Sequence, residues 1–124
     1  MNPPRDDQRI TLRPADGRVQ VSIDGVVLAE SDRATLLLER GCPPRWYLPR
    51  RDVRLDLLRR TSTTTICPFK GRATYWCYEP AGAADVAWSY EHPVRGMTAI
   101  QGLVCFYADR TTTTVDGREH SPKA

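Results

Sequence analysis

Two side chains that could do chemistry, a thiol and an amine, lie three residues apart at Cys67 and Lys70. Pro68 keeps the backbone of the cysteine extended, and Gly71 permits a tight turn directly after the lysine. A nearby ammonium favours the thiolate form of a cysteine, so Cys67 could act as a nucleophile or redox thiol assisted by Lys70. Alternatively, Lys70 could pair with a carboxylate or phosphate, or it could point to solvent beside a buried structural thiol.

A cysteine hydrolase also needs a general base, which is normally a histidine. The sequence contains only His92 and His120. His120 falls in the C-terminal tail, and a lone histidine beside Pro93 is more often a surface group than a base. A complete triad is therefore not predicted, and Cys67 and Lys70 remain candidates without an assigned catalytic role.

Aromatic side chains are concentrated on the strands expected around this corner. Apolar walls with a few polar groups are typical of ligand sites, and Lys70 would take up any negative charge. A strand with rings on both faces either lies between two layers or lines a cavity, and packing between two layers is the commoner explanation. The predicted ligand-binding residues are Tyr47, Asp52, Cys67, Lys70, Tyr75, Trp76, Trp88 and Tyr90.

Metal and cofactor sites are not predicted. No zinc-type spacing joins the four cysteines, which are Cys42, Cys67, Cys77 and Cys105. Cys77 and Cys105 are expected to be small apolar side chains within strands. Asp52 and Asp56 stand among arginines, where helix capping and surface ion pairs account for them without a metal.

Composition is that of an ordinary globular protein, with 124 residues, 40% of them hydrophobic and 27% charged, and a net charge of +3. Acidic residues interrupt the basic ones, so nucleic-acid binding is not favoured. No apolar run approaches the roughly 20 residues that span a bilayer, and the first residues lack the apolar core of a secretion signal. We expect a cytoplasmic protein without a membrane partner, whose partner is a small molecule of unknown identity; its oligomeric state is not predicted.

Short strands are the elements that must position these residues. Alternation over residues 18–23, followed by Asp24-Gly25 and a second apolar run, predicts a β-hairpin. A short helix capped by Asp52 is predicted over residues 52–60, and residues 97–100 could form one helical turn. Further strands are predicted at residues 34–40, 45–49, 72–79, 85–90 and 103–108.

About seven strands with frequent turn signals predict a mainly β, mostly antiparallel single domain with one or two short helices. We expect a loosely ordered segment at residues 1–17, in which residues 10–12 could be an edge strand. The β-rich domain is expected at residues 18–110, and a flexible tail at residues 111–124.

An ordered string of motifs resembles one known family. Over residues 18 to about 110, the chain resembles the family catalogued as domain of unknown function 427, which carries a nucleotidyltransferase-like label. The resemblance implies a tent-like or half-barrel β-sheet. The motifs are Tyr47-x-Pro49-x-x-Asp52-Val53, Thr65-x-Cys67-Pro68-x-Lys70-Gly71-x-Ala73-x-Tyr75-Trp76, Ala87-Trp88-x-Tyr90-x-x-Pro93, Ile100-x-Gly102 and Phe106-Tyr107.

Metal-dependent nucleotidyl transfer requires grouped carboxylates for Mg²⁺ and usually a glycine-rich phosphate loop. The sequence shows neither, so the label does not define a mechanism. The predicted function is binding of a small aromatic or anionic ligand in an aromatic-lined pocket beside Cys67 and Lys70. The alternatives are an enzyme that uses Cys67 as nucleophile or redox thiol assisted by Lys70, and a protein-interaction module.

Overall fold

Two antiparallel sheets form the fold of residues 9–120, which are the residues that this computed structural model describes. The larger sheet has the order β1-β4-β5-β9-β8-β7-β6, and the smaller has the order β11-β10-β2-β3. The mainly β, antiparallel prediction is confirmed, and the sheets are not closed into a barrel. The strands are β1 (Ile10–Pro14), β2 (Val19–Ile23), β3 (Val26–Ser31), β4 (Thr35–Glu39), β5 (Arg45–Leu48), β6 (Arg59–Cys67), β7 (Gly71–Cys77), β8 (Asp85–Pro93), β9 (Val104–Phe106), β10 (Thr112–Val115) and β11 (Arg118–His120).

The predicted hairpin is formed by β2 and β3. Asp24 and Gly25 have φ angles of 50° and 81°, and two consecutive positive φ angles are what a two-residue type I′ turn requires. Ile23 pairs with Val26 across the turn. Within residues 9–120, no helix is long and apolar enough to cross a membrane.

The helix predicted over residues 52–60 is wrong. Single 3-10 turns occupy Arg50–Asp52 and Leu55–Leu57, and β6 has begun by Arg59. Val53, between the two turns, is extended and forms a β-bridge with Ala29. The N–H of the next residue, Arg54, donates to the Leu28 carbonyl at 2.7 Å. Pairing with β3 outweighs the helical pattern because so short a helix has little stability of its own.

Both ends of the described chain carry strands. β1 lies at the edge of the larger sheet and includes residues 10–12, where the sequence allowed an edge strand, and β10 and β11 lie in the segment expected to be a flexible tail. β1 pairs with β4 along its whole length, and β10 pairs with β2 through contacts such as Val115 with Val19. β10 and β11 replace the predicted flexible tail because β-branched threonines suit the smaller sheet, in which Thr113 is buried. Residues 1–8 of the predicted loosely ordered segment and residues 121–124 of the predicted tail lie outside the described residues.

Buried side chains form a cluster on each face of the larger sheet. The first cluster, between the two sheets, includes Val21, Leu28, Trp76 and Phe106. The second cluster, on the other face, includes Leu37, Tyr47, Tyr75, Trp88, Tyr90 and Ile100. Because neighbouring residues of a strand face opposite sides, β7 sends Tyr75 into one cluster and Trp76 into the other. The rings on both faces of β7 are therefore explained by two packed layers.

The larger sheet is strongly curved. Lys70, in the turn between β6 and β7, contacts Glu39 of β4, although β4 and β7 are four steps apart in strand order. In a flat sheet, four strand spacings would separate them by about 19 Å, which is more than the two side chains can span. Curvature therefore brings the β6–β7 turn to β4 and encloses the second cluster.

Candidate functional site

The corner at Cys67–Gly71 is a tight turn that joins β6 to β7. The Lys70 N–H donates to the Cys67 carbonyl at 3.2 Å, and Gly71 has a φ angle of 123°. A β-carbon at position 71 would lie 3.1 Å from the Cα of Pro93, so the end of β8 packs closely against the turn. Glycine is therefore required here both for its backbone conformation and for its size.

Lys70 is already paired. Its Nζ lies 2.6 Å from Oε1 of Glu39, and the two side chains are only 11% and 10% exposed. A charge withdrawn from water in this way is stable only when its partner is present. Of the alternatives raised from the sequence, pairing with a carboxylate is the one observed, and the amine is not available to take up the charge of a ligand.

Cys67 is half-buried and packs against the second cluster. Burial raises the pKa of the neighbouring Tyr90 hydroxyl, and the charges of Cys67 and Tyr75 add to this effect. His92 is exposed and pairs in register with Arg72, whereas Cys67 pairs with Gly71 on the opposite face. His92 is therefore not placed to act as a base for Cys67.

Tyr47, Tyr75, Trp88, Tyr90 and Tyr107 meet on the inner face of the curved sheet, and we call them the aromatic cluster. The first four are buried. Trp88 Nε1 donates to the Tyr47 hydroxyl at 3.2 Å, and these two rings meet edge to face with centroids 6.4 Å apart. Burial raises the pKa of Tyr47, which keeps its hydroxyl protonated. Trp88 and Tyr47 satisfy each other's polar groups, and the four buried rings fill the interior of the cluster, which is therefore a packed core.

Tyr107 and Arg45 form the rim of this cluster, and sequence reasoning missed both. Tyr107 is half-buried, stacks on Tyr75 at 6.4 Å and lies 4.7 Å from Trp88. The Arg45 guanidinium lies 5.2 Å from the centre of the Trp88 ring. The signal was available, because Arg45 and Tyr47 stand two apart on β5 and so share a face.

Trp76 lies on the other face of the sheet, away from the aromatic cluster. The guanidinium groups of Arg50 and Arg60 lie 5.3 Å and 5.5 Å from its ring centre, and both bind Glu91, at 3.1 Å and 2.8 Å. Burial opposes ionisation of Glu91, but hydrogen bonds and charges from Arg60 and Arg50 outweigh it and lower the pKa of this carboxyl group. Trp76 therefore belongs to a structural cation network.

Asp52 is also remote from the aromatic cluster. Its Oδ2 accepts a hydrogen bond from the Ser31 hydroxyl at 2.6 Å, and it lines two adjacent hollows of about 350 and 340 Å³. The residues predicted to share one pocket are thus divided between the inner face, the outer face and a surface groove. Within residues 9–120, no group of three or more potential metal-binding side chains is placed to hold a metal ion.

These features define a class of small two-sheet antiparallel β proteins in which a curved sheet encloses an aromatic cluster. A family model matches residues 11–117, so this chain belongs to the family described as Domain of unknown function (DUF427). The family carries a nucleotidyltransferase-like label, and the resemblance identified from the motifs is confirmed. No curated protein matches the chain.

Proposed function

We propose that this domain binds a small anionic molecule with a flat ring at the rim of the aromatic cluster. The sequence predicted an aromatic or an anionic ligand, and the proposed ligand combines both properties. Its charge partner is Arg45 instead of Lys70, because the Lys70 ammonium is held by Glu39 at 2.6 Å. The ligand would lie against the rim, since the interior of the cluster is filled by its own rings.

The observation that carries this proposal is the environment of Arg45. The side chain is half-buried over Trp88 and has no carboxylate partner within the described residues. A guanidinium has five N–H donors and no acceptor, so an incoming carboxylate or phosphate can bind two of these donors at once. A half-buried arginine without an acid is therefore suited to receive an anion from solvent.

Tyr107 is the side chain expected to contact the flat ring of the ligand. It is only half-buried although it touches both Tyr75 and Trp88, so part of its ring faces outward. Arg110, in the turn that follows β9, lies 4.5 Å from the centre of this ring. Aromatic rings gain from offset or edge-to-face contacts with one another, which favours an aromatic ligand over an aliphatic one at this position.

The experiment uses benzoate as the simplest aromatic anion and benzyl alcohol as its uncharged match. We expect benzoate to change tryptophan fluorescence and to shift the amide resonances of β5 and β9, while benzyl alcohol binds much more weakly. Arg45→Gln should weaken benzoate binding at least about tenfold, the value of one charged hydrogen bond. The control is Arg95→Gln, at an exposed arginine without an ion pair in the described chain. Equal binding by Arg45→Gln and the control would contradict the proposal.

A further inference from the structure

A second candidate site is a groove along the β3–β4 loop, which extends from the turn at Arg50–Asp52 to β1. The groove consists of two hollows of about 350 Å³ each. One hollow is lined mainly by charged side chains, and the other includes Leu12, Pro14, Ala34 and Ala99. Asp32 and Arg33 line both hollows and so stand where they join. Each hollow is in the size range of small-molecule sites.

The carboxylates of the charged hollow already have donors. Arg18 binds two of them, Glu30 at 3.0 Å and Asp32 at 2.7 Å, and Asp52 accepts the Ser31 hydroxyl at 2.6 Å. Arg18 is thus the ion-pair partner of both Glu30 and Asp32. Within the described residues, no ion pair joins Arg33 or Arg51 to a carboxylate. Two unclaimed cations therefore line the same hollow.

The backbone under both arginines is held in place. The Arg33 N–H donates to the Ser31 hydroxyl at 2.9 Å, and Ser31, which is 2% exposed, connects this loop to Asp52. Arg51 sits inside a turn closed by the Asp52 N–H on the Pro49 carbonyl at 2.9 Å. The turn is anchored in addition by Arg50, which donates to Ser89 and Gly102. A site on such fixed elements loses little entropy when a ligand binds.

We propose that this groove binds a small phosphomonoester, with Arg33 and Arg51 holding the phosphate and the apolar hollow receiving the organic group. Two guanidinium groups match the charge and the oxygen geometry of a phosphate dianion. The apolar hollow beside Arg33 favours an aliphatic ester group over a free phosphate ion. Asp32 and Glu30, although paired, disfavour ligands with more negative charge, so a monophosphate should bind better than a triphosphate.

The probe is n-butyl phosphate, followed by amide resonances in a titration of the full chain. We expect saturable shifts confined to residues 12–14, 31–35, 50–53 and 99, with inorganic phosphate binding at least about tenfold more weakly because it lacks the apolar group. Butanol should produce no saturable shift. Absence of saturable binding by butyl phosphate, or saturation at other residues only, would overturn the proposal.

Substitutions test the two arginines individually. Arg33→Gln and Arg51→Gln should each weaken butyl phosphate binding at least about tenfold, and Arg33→Lys should retain part of the affinity because it keeps the charge. Arg72→Gln and Arg95→Gln are matched controls, since both residues are exposed and lie outside the groove. Neither guanidinium of the groove holds the fold together, so the unfolding temperature should stay unchanged. Equal affinities in the groove variants and the controls would reject the site.

Discussion

The ion pair between Lys70 and Glu39 joins the β6–β7 turn to β4 across the inner face of the curved sheet. Because both side chains are about nine-tenths withdrawn from solvent, each charge depends on the other for stabilisation. The residue that sequence reasoning treated as a candidate ligand or catalytic group thus has a structural partner. Arg45, Arg33 and Arg51 differ from Lys70 because they have no ion-pair partner within residues 9–120.

We expect Lys70→Met to lower the free energy of unfolding by about 3 kcal/mol, because it leaves the Glu39 carboxylate without its cation in a poorly hydrated position. The double variant Lys70→Met with Glu39→Leu should lose much less than the sum of the two single losses. Urea denaturation measures all three. The exposed pair Arg54–Asp56 is the control, and Arg54→Met should leave the free energy of unfolding nearly unchanged because solvent screens this pair. Additive losses at Lys70 and Glu39 would contradict this account.

The cysteines provide the test of the alternative in which Cys67 is a nucleophile. Cys42 is exposed, Cys67 is half-buried, and Cys77 and Cys105 are buried. Burial raises the pKa of Cys105 to about 12, so it holds almost no thiolate at neutral pH. We expect iodoacetamide to modify Cys42 first and Cys67 second, with Cys77 and Cys105 protected in the native protein, as followed by mass spectrometry. Faster modification of Cys67 than of Cys42 would favour the enzyme.

At the scale of elements, the β6–β7 turn holds the larger sheet in its curved shape. It places Lys70 against Glu39, and its backbone meets the end of β8, where the Val94 N–H donates to the Lys70 carbonyl at 2.9 Å. Gly71 allows this approach because it has no side chain. The turn is therefore under two constraints, a positive φ angle and close contact with a neighbouring strand.

Gly71→Ala should lower the free energy of unfolding by about 2 to 3 kcal/mol, from backbone strain together with a contact at 3.1 Å from the Cα of Pro93. Gly41→Ala is the matched control. Gly41 also has a positive φ angle, 81°, but a β-carbon there would meet nothing within 4 Å. Strain alone should then cost about 1 kcal/mol. Thermal or urea denaturation compares the two, and equal losses would mean that the close approach of β8 does not matter.

At the scale of the whole molecule, one sheet separates the two clusters of buried side chains. Strands such as β7 contribute to both, through Trp76 on one face and Tyr75 on the other. Unfolding of one cluster therefore disrupts strands of the larger sheet against which the other cluster packs. The fold should behave as a single cooperative unit, as most domains of this size do.

We expect far-UV circular dichroism and tryptophan fluorescence to show the same urea midpoint. The comparison is made in two variants, because each leaves a different set of reporters. Trp88→Phe retains Trp46 and Trp76, which both pack in the cluster between the sheets, and the double variant Trp46→Phe with Trp76→Phe retains only Trp88 in the aromatic cluster. Midpoints that differ between the two methods in either variant would show that the clusters unfold separately.

Sequence reasoning succeeded where the pattern is local. The Asp24-Gly25 turn needs positive φ angles, and the alternating run at Tyr75 and Trp76 needs two faces, so neighbouring residues are sufficient to predict them. It failed at residues 52–60 because the pairing of Val53 with Ala29 depends on a strand more than twenty residues away. It did not predict the strand β10 for the same reason, since β10 is held by β2 at the other end of the chain.

The sequence by itself therefore determined the fold class and most of the strands, because alternation and turn chemistry act over a few residues. It indicated the family through the resemblance of its ordered motifs. The tertiary structure decided which charges meet. Curvature of the larger sheet brings Glu39 to Lys70, and the two faces of that sheet separate Tyr75, Trp88 and Tyr90 from Trp76. A lysine or an arginine can bind an anion only where no carboxylate of the protein already holds it. The distances between strands in the folded sheet determine which carboxylates reach it.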